Sequence, residues 1–223
     1  MNKYFIVVAG GKGVRMGKDI PKQFIALQGL PILMHTISRL HQSVPEARII
    51  LVLPQKHIDM WNELVCKHSF DIPVQIAFGG DTRFDSVKNG LELIEEEDAL
   101  VAIHDGVRPF VSEQVVRRCF EEVVEKGAVI PVVRPVDSIR FGDEDGGSKP
   151  IDRDRCYMVQ TPQTFRFSLL RRAYQQPYRP SFTDDASVIE AIPAPVFLVD
   201  GNRENIKITT AYDLMVAEAL ASI

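Results

Sequence analysis

The feature that most constrains the fold of this chain is an alternation between two hydrophobic periods. Residues 4–8, 48–53, 74–78, 100–104 and 128–133 are short, nearly continuous apolar runs, the pattern of strands covered on both faces. Between them apolar residues recur at helical spacing. Ile32, Leu33, Ile37 and Leu40 share a face, as do Met60, Trp61, Leu64 and Val65, and then Phe84, Val87, Leu91 and Ile94. A further helix carries Val115, Val116, Cys119, Phe120, Val123 and Val124, with Ser112 as N-cap and a stop at Lys126-Gly127. This strand-helix repetition predicts an α/β fold built on a doubly wound, mostly parallel open sheet, with ligands at the carboxyl ends of the strands.

The alternation breaks between Arg134 and Tyr157. Pro135 and the polar run GDEDGGSKP at 142–150 are flanked there by β-like pieces, 136–141 and 151 onward. Too few apolar residues are present for a second core. Residues 134–157 therefore read as a protruding β-hairpin arm on one domain spanning 1–223, either a solvated excursion or a dimerisation arm. Beyond it the chain predicts a helix over 168–174, another over 184–192 capped by Thr183, a strand over 196–199 and a last helix over 211–221. Thr210 and Asp213 have capping-box spacing for that last helix.

Charge narrows the function classes. Twenty-six Lys plus Arg against thirty Asp plus Glu leave a net charge of −4, so no overall positive field holds a nucleic acid or an anionic membrane. An anionic ligand must be gripped locally. Cys66, Cys119 and Cys156 are far apart and lack CxxC spacing, which argues against a disulfide framework or a zinc site. The first apolar run, about six residues long, is too short for a signal or membrane segment. A cytoplasmic protein is expected.

Four clusters carry chemistry. After the first run comes Ala9-Gly10-Gly11-Lys12-Gly13-Val14-Arg15-Met16, then Pro21-Lys22-Gln23. Glycines there let backbone N–H groups approach a polyphosphate, and Arg15 and Lys22 are placed to wrap it. The segment is neither a dinucleotide fingerprint, since Met16 stands at the third glycine position, nor a Walker loop. Gly79-Gly80-Asp81-Thr82-Arg83-Phe84-Asp85-Ser86 suits a base and ribose, although capping by Asp81 or Thr82 explains it equally well. In His104-Asp105-Gly106-Val107-Arg108, Asp105 can meet a cation or substrate hydroxyls and Arg108 an anion, or the two can pair with each other; His104 reads as a packed strand-end residue. Lys207 lies in a short β-like run between Ile206 and Ile208 and is a candidate for pointing into a pocket.

Taken in order, AGGKGVRM with PKQF, GGDTRFDSV, HDGVRPF, PVDSIR, QTPQTF, FTDDAS and NRENIKIT resemble the 2-C-methyl-D-erythritol 4-phosphate cytidylyltransferases, enzymes of non-mevalonate isoprenoid synthesis. The resemblance covers essentially the whole chain. It implies a nucleotide-diphospho-sugar-transferase-like fold, CTP and a polyol phosphate as substrates, Mg²⁺ as cofactor, and a homodimer hooked together through the β arm. Position by position, it implies that the backbone of Ala9, Gly10, Gly11 and Gly13 wraps CTP while Arg15 and Lys22 contact its phosphates. Gly80, Asp81 and Ser86 match cytosine-recognising positions, with Arg83 in the same loop. Asp105, Arg108, Thr183 and Lys207 match residues around the polyol phosphate and the reacting phosphates. Ser138 and Arg153, on the arm, match positions that reach the substrate of the other subunit. Mg²⁺ is expected on the CTP phosphates near Asp105, with no direct protein cage. The chain departs from the family with Ser138 where threonine is common, Gly10 for alanine, and Val8 where proline is frequent. Two other readings share the fold: a ribitol-5-phosphate cytidylyltransferase and a non-catalytic nucleotide-binding protein.

Overall fold

The computed structural model describes residues 1–10 and 20–222. Its centre is an eight-stranded sheet of β1 (Asn2–Val8), β4 (Arg48–Leu53), β5 (Gln75–Phe78), β6 (Ala99–Asp105), β7 (Ala128–Val133), β10 (Met158–Val159), β11 (Gln163–Arg166) and β12 (Phe197–Asp200). From one edge the order is β12, β7, β11, β6, β1, β4, β5, with β10 pairing β7 just beyond β11. Every neighbouring pair is parallel except those made by β10 and β11. The doubly wound, mostly parallel sheet expected from the apolar runs is what the chain adopts.

The pleat divides the core in two. Phe5, Val7, Ile49, Leu51, Leu100 and Ala102 face α1 (Ile32–Ser43), α2 (Ile58–His68) and α4 (Glu113–Lys126). Tyr4, Ile6, Ile50, Val52, Val101 and Ile103 face α3 (Arg83–Leu91), α5 (Phe167–Ala173) and α6 (Asp185–Glu190). Successive strand residues serve opposite layers, which is why the runs read as continuous rather than alternating. A smaller cluster holds α7 (Ala211–Ala221) against the hairpin of β2 (Ala26–Leu27) and β3 (Leu30–Pro31) through Leu27, Ile32, Ile208 and Ala217. Gln28 at φ 49° and Gly29 at φ 83° supply the two left-handed residues that this tight turn requires.

Caps set the helix starts. Ser112 accepts from the Val115 N–H, and Thr210 and Asp213 form the expected capping box. One cap differs from expectation. The helix placed over 184–192 with Thr183 as its cap runs over Asp185–Glu190, and Asp184 caps it in a reciprocal box with Ser187, leaving Thr183 exposed. Two adjacent acids made the register ambiguous, and the carboxylate of Asp184 is held by Gln163 Nε2 at 2.9 Å. The arm is a two-stranded hairpin of β8 (Ile139–Gly142) and β9 (Ser148–Ile151), paired antiparallel and exposed along most of its length.

Sheet register positions the functional edge. Val8 lies opposite both Val52 and Asp105, so the chain leaves β1, β4 and β6 side by side at their carboxyl ends, next to the end of β5. In an open α/β sheet this edge is where a ligand meets loops rather than helix flanks.

Candidate active site

A cleft opens at this edge. The exit of β1 contributes Ala9 and Gly10, a short helical turn at Lys22–Phe24 contributes Lys22 and Gln23, the loop after β5 contributes Gly80 to Arg83, and Ser86, Asp105 and Lys207 complete it. Nine expected site residues thus line one cavity: Ala9, Gly10, Lys22, Gly80, Asp81, Arg83, Ser86, Asp105 and, from almost the far end of the chain, Lys207. Gly11, Gly13 and Arg15 lie outside the described residues. Thr183 is exposed and not part of the cavity lining, and Ser138 and Arg153 are exposed on the arm, where Arg153 donates to the Val136 carbonyl at 2.8 Å.

Asp105 is the electrostatic centre. Its Oδ2 accepts from Arg108 Nε at 2.9 Å and lies 3.2 Å from Lys207 Nζ. Burial alone would push this carboxyl up, but Lys207, Arg83 and Arg108 together hold it well below the usual carboxylate range. Arg108 also donates to the Asn205 carbonyl at 2.8 Å, and the Ile208 N–H reaches the Val107 carbonyl at 3.0 Å. The segment around Lys207 is therefore stitched to the Asp105 loop by single bonds, not by the short strand expected there.

His104 is fully buried behind Asp105. Its Nε2 lies 3.0 Å from the Arg108 carbonyl, and its Nδ1 lies 3.0 Å from Thr161 Oγ1. A carbonyl can only accept, so Nε2 carries the proton and Nδ1 accepts from the Thr161 hydroxyl. That hydroxyl in turn accepts from the Asp105 N–H at 3.1 Å. Burial pushes the His104 pKa down to about 4. Sequence reasoning gave His104 a packing role, which it has, but missed Thr161 and Asn205, whose bonds span more than forty residues. Because the unfolded chain binds the His104 proton more readily, stability is full above about pH 6.5 and falls as pH drops toward about 4. We expect a loss of about 2 kcal/mol by pH 5 from this residue. His104→Gln should flatten the slope of melting temperature against pH between 7 and 5; an unchanged slope would remove His104 as its source.

The loop after β5 is shaped by its own polar groups. Thr82 and Asp85 form a capping box, and Ser86 Oγ accepts from the Gly80 N–H at 3.1 Å while donating to the Thr82 carbonyl at 2.9 Å. A Cβ at Gly80 would fall 2.4 Å from Asp85 Cβ, so glycine is required there. The cluster caps α3 and lines the cleft.

Arg83 has a partner that the sequence did not suggest. Its guanidinium grips Asp185 through two bonds of 2.8 and 2.6 Å, and Asp185, fully buried, also accepts from the Tyr174 hydroxyl at 2.6 Å. Burial would depress the Arg83 pKa, but the Asp185 charge and hydrogen bonds outweigh it and hold it above the ordinary arginine value. Phe84 stacks on Tyr174 at 4.6 Å and on Phe182 at 5.7 Å. The cleft loop is thereby fastened to the segment that precedes α6.

Gln23 is also buried. Its Nε2 donates to the Ala9 carbonyl at 2.7 Å, and its Oε1 has no hydrogen-bond partner among the described residues. Such an orphan acceptor costs on the order of 1–3 kcal/mol.

Comparison with known proteins places this geometry. A family model described as IspD, 2-C-methyl-D-erythritol 4-phosphate cytidylyltransferase, matches residues 4–222. The chain is 54% identical over 215 residues to the 2-C-methyl-D-erythritol 4-phosphate cytidylyltransferase of Bacteroides fragilis, covering 96% of this chain and 97% of that one. Among solved structures, it resembles the 2-C-methyl-D-erythritol 4-phosphate cytidylyltransferase of Francisella tularensis with a TM-score of 0.81, 31% identity and coverage of 98% and 99%. The 4-diphosphocytidyl-2C-methyl-D-erythritol synthase of Anaerococcus prevotii gives a TM-score of 0.85 at 28% identity, covering 100% of this chain and 96% of that one. With the match running from the first strand to the last helix and the cleft built from the residues that the motifs supply, the chain belongs to the 2-C-methyl-D-erythritol 4-phosphate cytidylyltransferase family.

Proposed function

We propose that this cleft binds CTP with Mg²⁺ and 2-C-methyl-D-erythritol 4-phosphate, and transfers the cytidylyl group to give 4-diphosphocytidyl-2-C-methyl-D-erythritol and pyrophosphate. The observation that carries the proposal is Asp105 at the sheet edge, with Lys207 and Arg108 on its carboxylate and Lys22 and Arg83 on the same cleft. A cleft this rich in cations suits two phosphate-bearing substrates that repel each other.

The chemistry needs little from the protein in the way of proton transfer. A phosphate monoester has a second pKa of about 6 and is largely dianionic at neutral pH. One of its oxygens attacks the α-phosphorus of CTP, a new P–O bond forms, the bond to the β-phosphate oxygen breaks, and its electron pair leaves with pyrophosphate. Alignment of the two anions and neutralisation of charge at the α-phosphorus fall to Lys22, Lys207 and the backbone of Ala9 and Gly10. Arg15, Gly11 and Gly13 join them on the strength of the family motif. Gly80, Asp81 and Ser86 recognise the base, with Arg83 beside them, while Arg108 and Thr183 serve the polyol phosphate.

The residues present suit a divalent cation carried by substrate phosphates. Asp105 Oδ1 has no hydrogen bond among the described residues, whereas Oδ2 is fully engaged, and no cluster of three His, Cys, Asp or Glu is found among them. Mg²⁺ takes this form of binding, one carboxylate plus phosphates and water, and supplies charge neutralisation at the phosphates.

The same reading covers assembly. Residues 1–223 form one nucleotidyltransferase domain, and the 134–157 arm hooks a second copy into a homodimer, carrying Ser138 and Arg153 to its neighbour's cleft. Exposed Val136, Phe141, Tyr157, Met158 and Val159 on and beside the arm support it, as apolar surface of this kind marks a contact. No helix among the described residues is long and apolar enough to cross a membrane, in keeping with a cytoplasmic enzyme.

Pyrophosphate release measured with each of four nucleoside triphosphates, with and without Mg²⁺, tests the proposal. CTP with 2-C-methyl-D-erythritol 4-phosphate and Mg²⁺ should give turnover at least about a hundredfold above the other bases. A preference for ribitol 5-phosphate, or CTP binding without pyrophosphate release, would overturn it.

A further inference from the structure

Lys22 and Asp105 come from loops far apart in sequence, and one residue joins their scaffolds. Ala9 donates its N–H to the Val52 carbonyl at 3.0 Å, its side chain packs where a Cβ on Gly106 would come within 3.0 Å, and its carbonyl accepts from Gln23 at 2.7 Å. Gly106 follows Asp105 directly and donates to the Val8 carbonyl at 2.9 Å. Ala9 is thus locked to β4 and to the Asp105 loop, and the Gln23 amide ties that unit to the turn carrying Lys22.

We propose that Gln23 is a positioning residue that sets Lys22 against the exit of β1, so that the Lys22 ammonium and the Asp105 cluster face the same reacting phosphate. This rests on the reading of Lys22 as a phosphate contact. Among the described residues the turn is held by Phe24, buried in the core layer beside α1, and by the Gln23 amide on the cleft side. Phe24 alone serves stability. The amide is oriented by its neighbour, since the Ala9 carbonyl needs a donor, and this leaves Oε1 buried without one among the described residues. A standing cost of that kind is tolerated where placement of a neighbouring group matters more than local stability.

Gln23→Met is the discriminating variant. It removes the donor to Ala9 and the orphan acceptor together, two changes of opposite sign, so the melting temperature should stay within about 4 °C of wild type. Turnover is expected to fall about tenfold to a hundredfold through misplacement of Lys22, with KM for CTP held within about threefold. Gln23→Glu keeps the shape, but an ionised carboxylate cannot donate to Ala9. Burial raises its pKa, so its turnover relative to wild type should recover as pH is lowered from about 8 to about 6. Normal turnover in Gln23→Met while Lys22→Ala is crippled would overturn the positioning role and spare the reading beneath it. Normal turnover in both would overturn that reading as well. Losses of about 10 °C or more in both Gln23 variants, tracking their loss of activity, would make the residue a simple brace and overturn the proposal.

Discussion

Lys207→Ala lowers kcat on the order of a hundredfold or more, the scale of removing one transition-state donor from a preorganised site. The Lys207 side chain is 42% exposed and makes one ion pair among the described residues, to Asp105 at 3.2 Å. The Asp105 carboxylate is buried but keeps Arg108 at 2.9 Å, so the variant should lose some stability while staying folded, and turnover is compared well below its melting temperature. Two effects add. The ammonium no longer neutralises charge at the phosphates, and Asp105 keeps its own charge with one cation fewer to offset it, which repels an incoming dianion. Lys207→Arg restores charge but places a planar fork where a compact ammonium stood, so only partial recovery is expected. Steady-state pyrophosphate release gives kcat and KM for each variant; turnover within about threefold of wild type in Lys207→Ala would take Lys207 out of the reaction.

Asp185→Ala is the substitution expected to cost the most stability. Its carboxylate is fully buried, grips Arg83 through two bonds and accepts from Tyr174. Removing one member of such a pair strands the other charge, a loss of about 3–5 kcal/mol. For a chain of this length that corresponds to a fall in melting temperature of about 10 °C or more. The double variant Arg83→Met with Asp185→Leu should recover a large part of it, since two apolar groups strand nothing. Equal melting temperatures for the wild type and Asp185→Ala would show that the pair is not the anchor of the loop. Calorimetric melts of the wild type, Arg83→Met, Asp185→Leu and the double variant give the coupling directly.

The parallel strands were legible because both faces of each are covered, which turns residues such as Phe5, Ile6 and Val7 into unbroken apolar runs. β11 was not. It lies between β6 and β7, yet it begins Gln163-Thr164, and both are buried. Gln163 satisfies its amide on Asp184 and on the Ala186 N–H, each at 2.9 Å. A central strand that opens on buried polar residues, with the Gln163 amide satisfied far along the chain, carries no hydrophobic period to detect. The site divides in the same way. Glycines beside cations announce a phosphate-binding loop, and Lys22 and Gly80 line the cleft as expected. The Asp105–Arg108 pair was open from their spacing, but Lys207 joined them only through the resemblance, since a pair about a hundred residues apart leaves no local signature. Asp185 was unreadable for a related reason: a charged residue beside another acid looks solvated until its buried arginine is known.

The placement of β11 bears on how the protein is made. β6 and β7 follow each other along the chain, but they are not partners; the strand that separates them is translated only after the arm. A nascent chain that has emerged as far as Val133 carries two apolar strand edges with a gap between them and nothing to fill it. The central layer is sealed when residues near Arg166 leave the ribosome, so the protruding hairpin is already outside before the body that bears it can close.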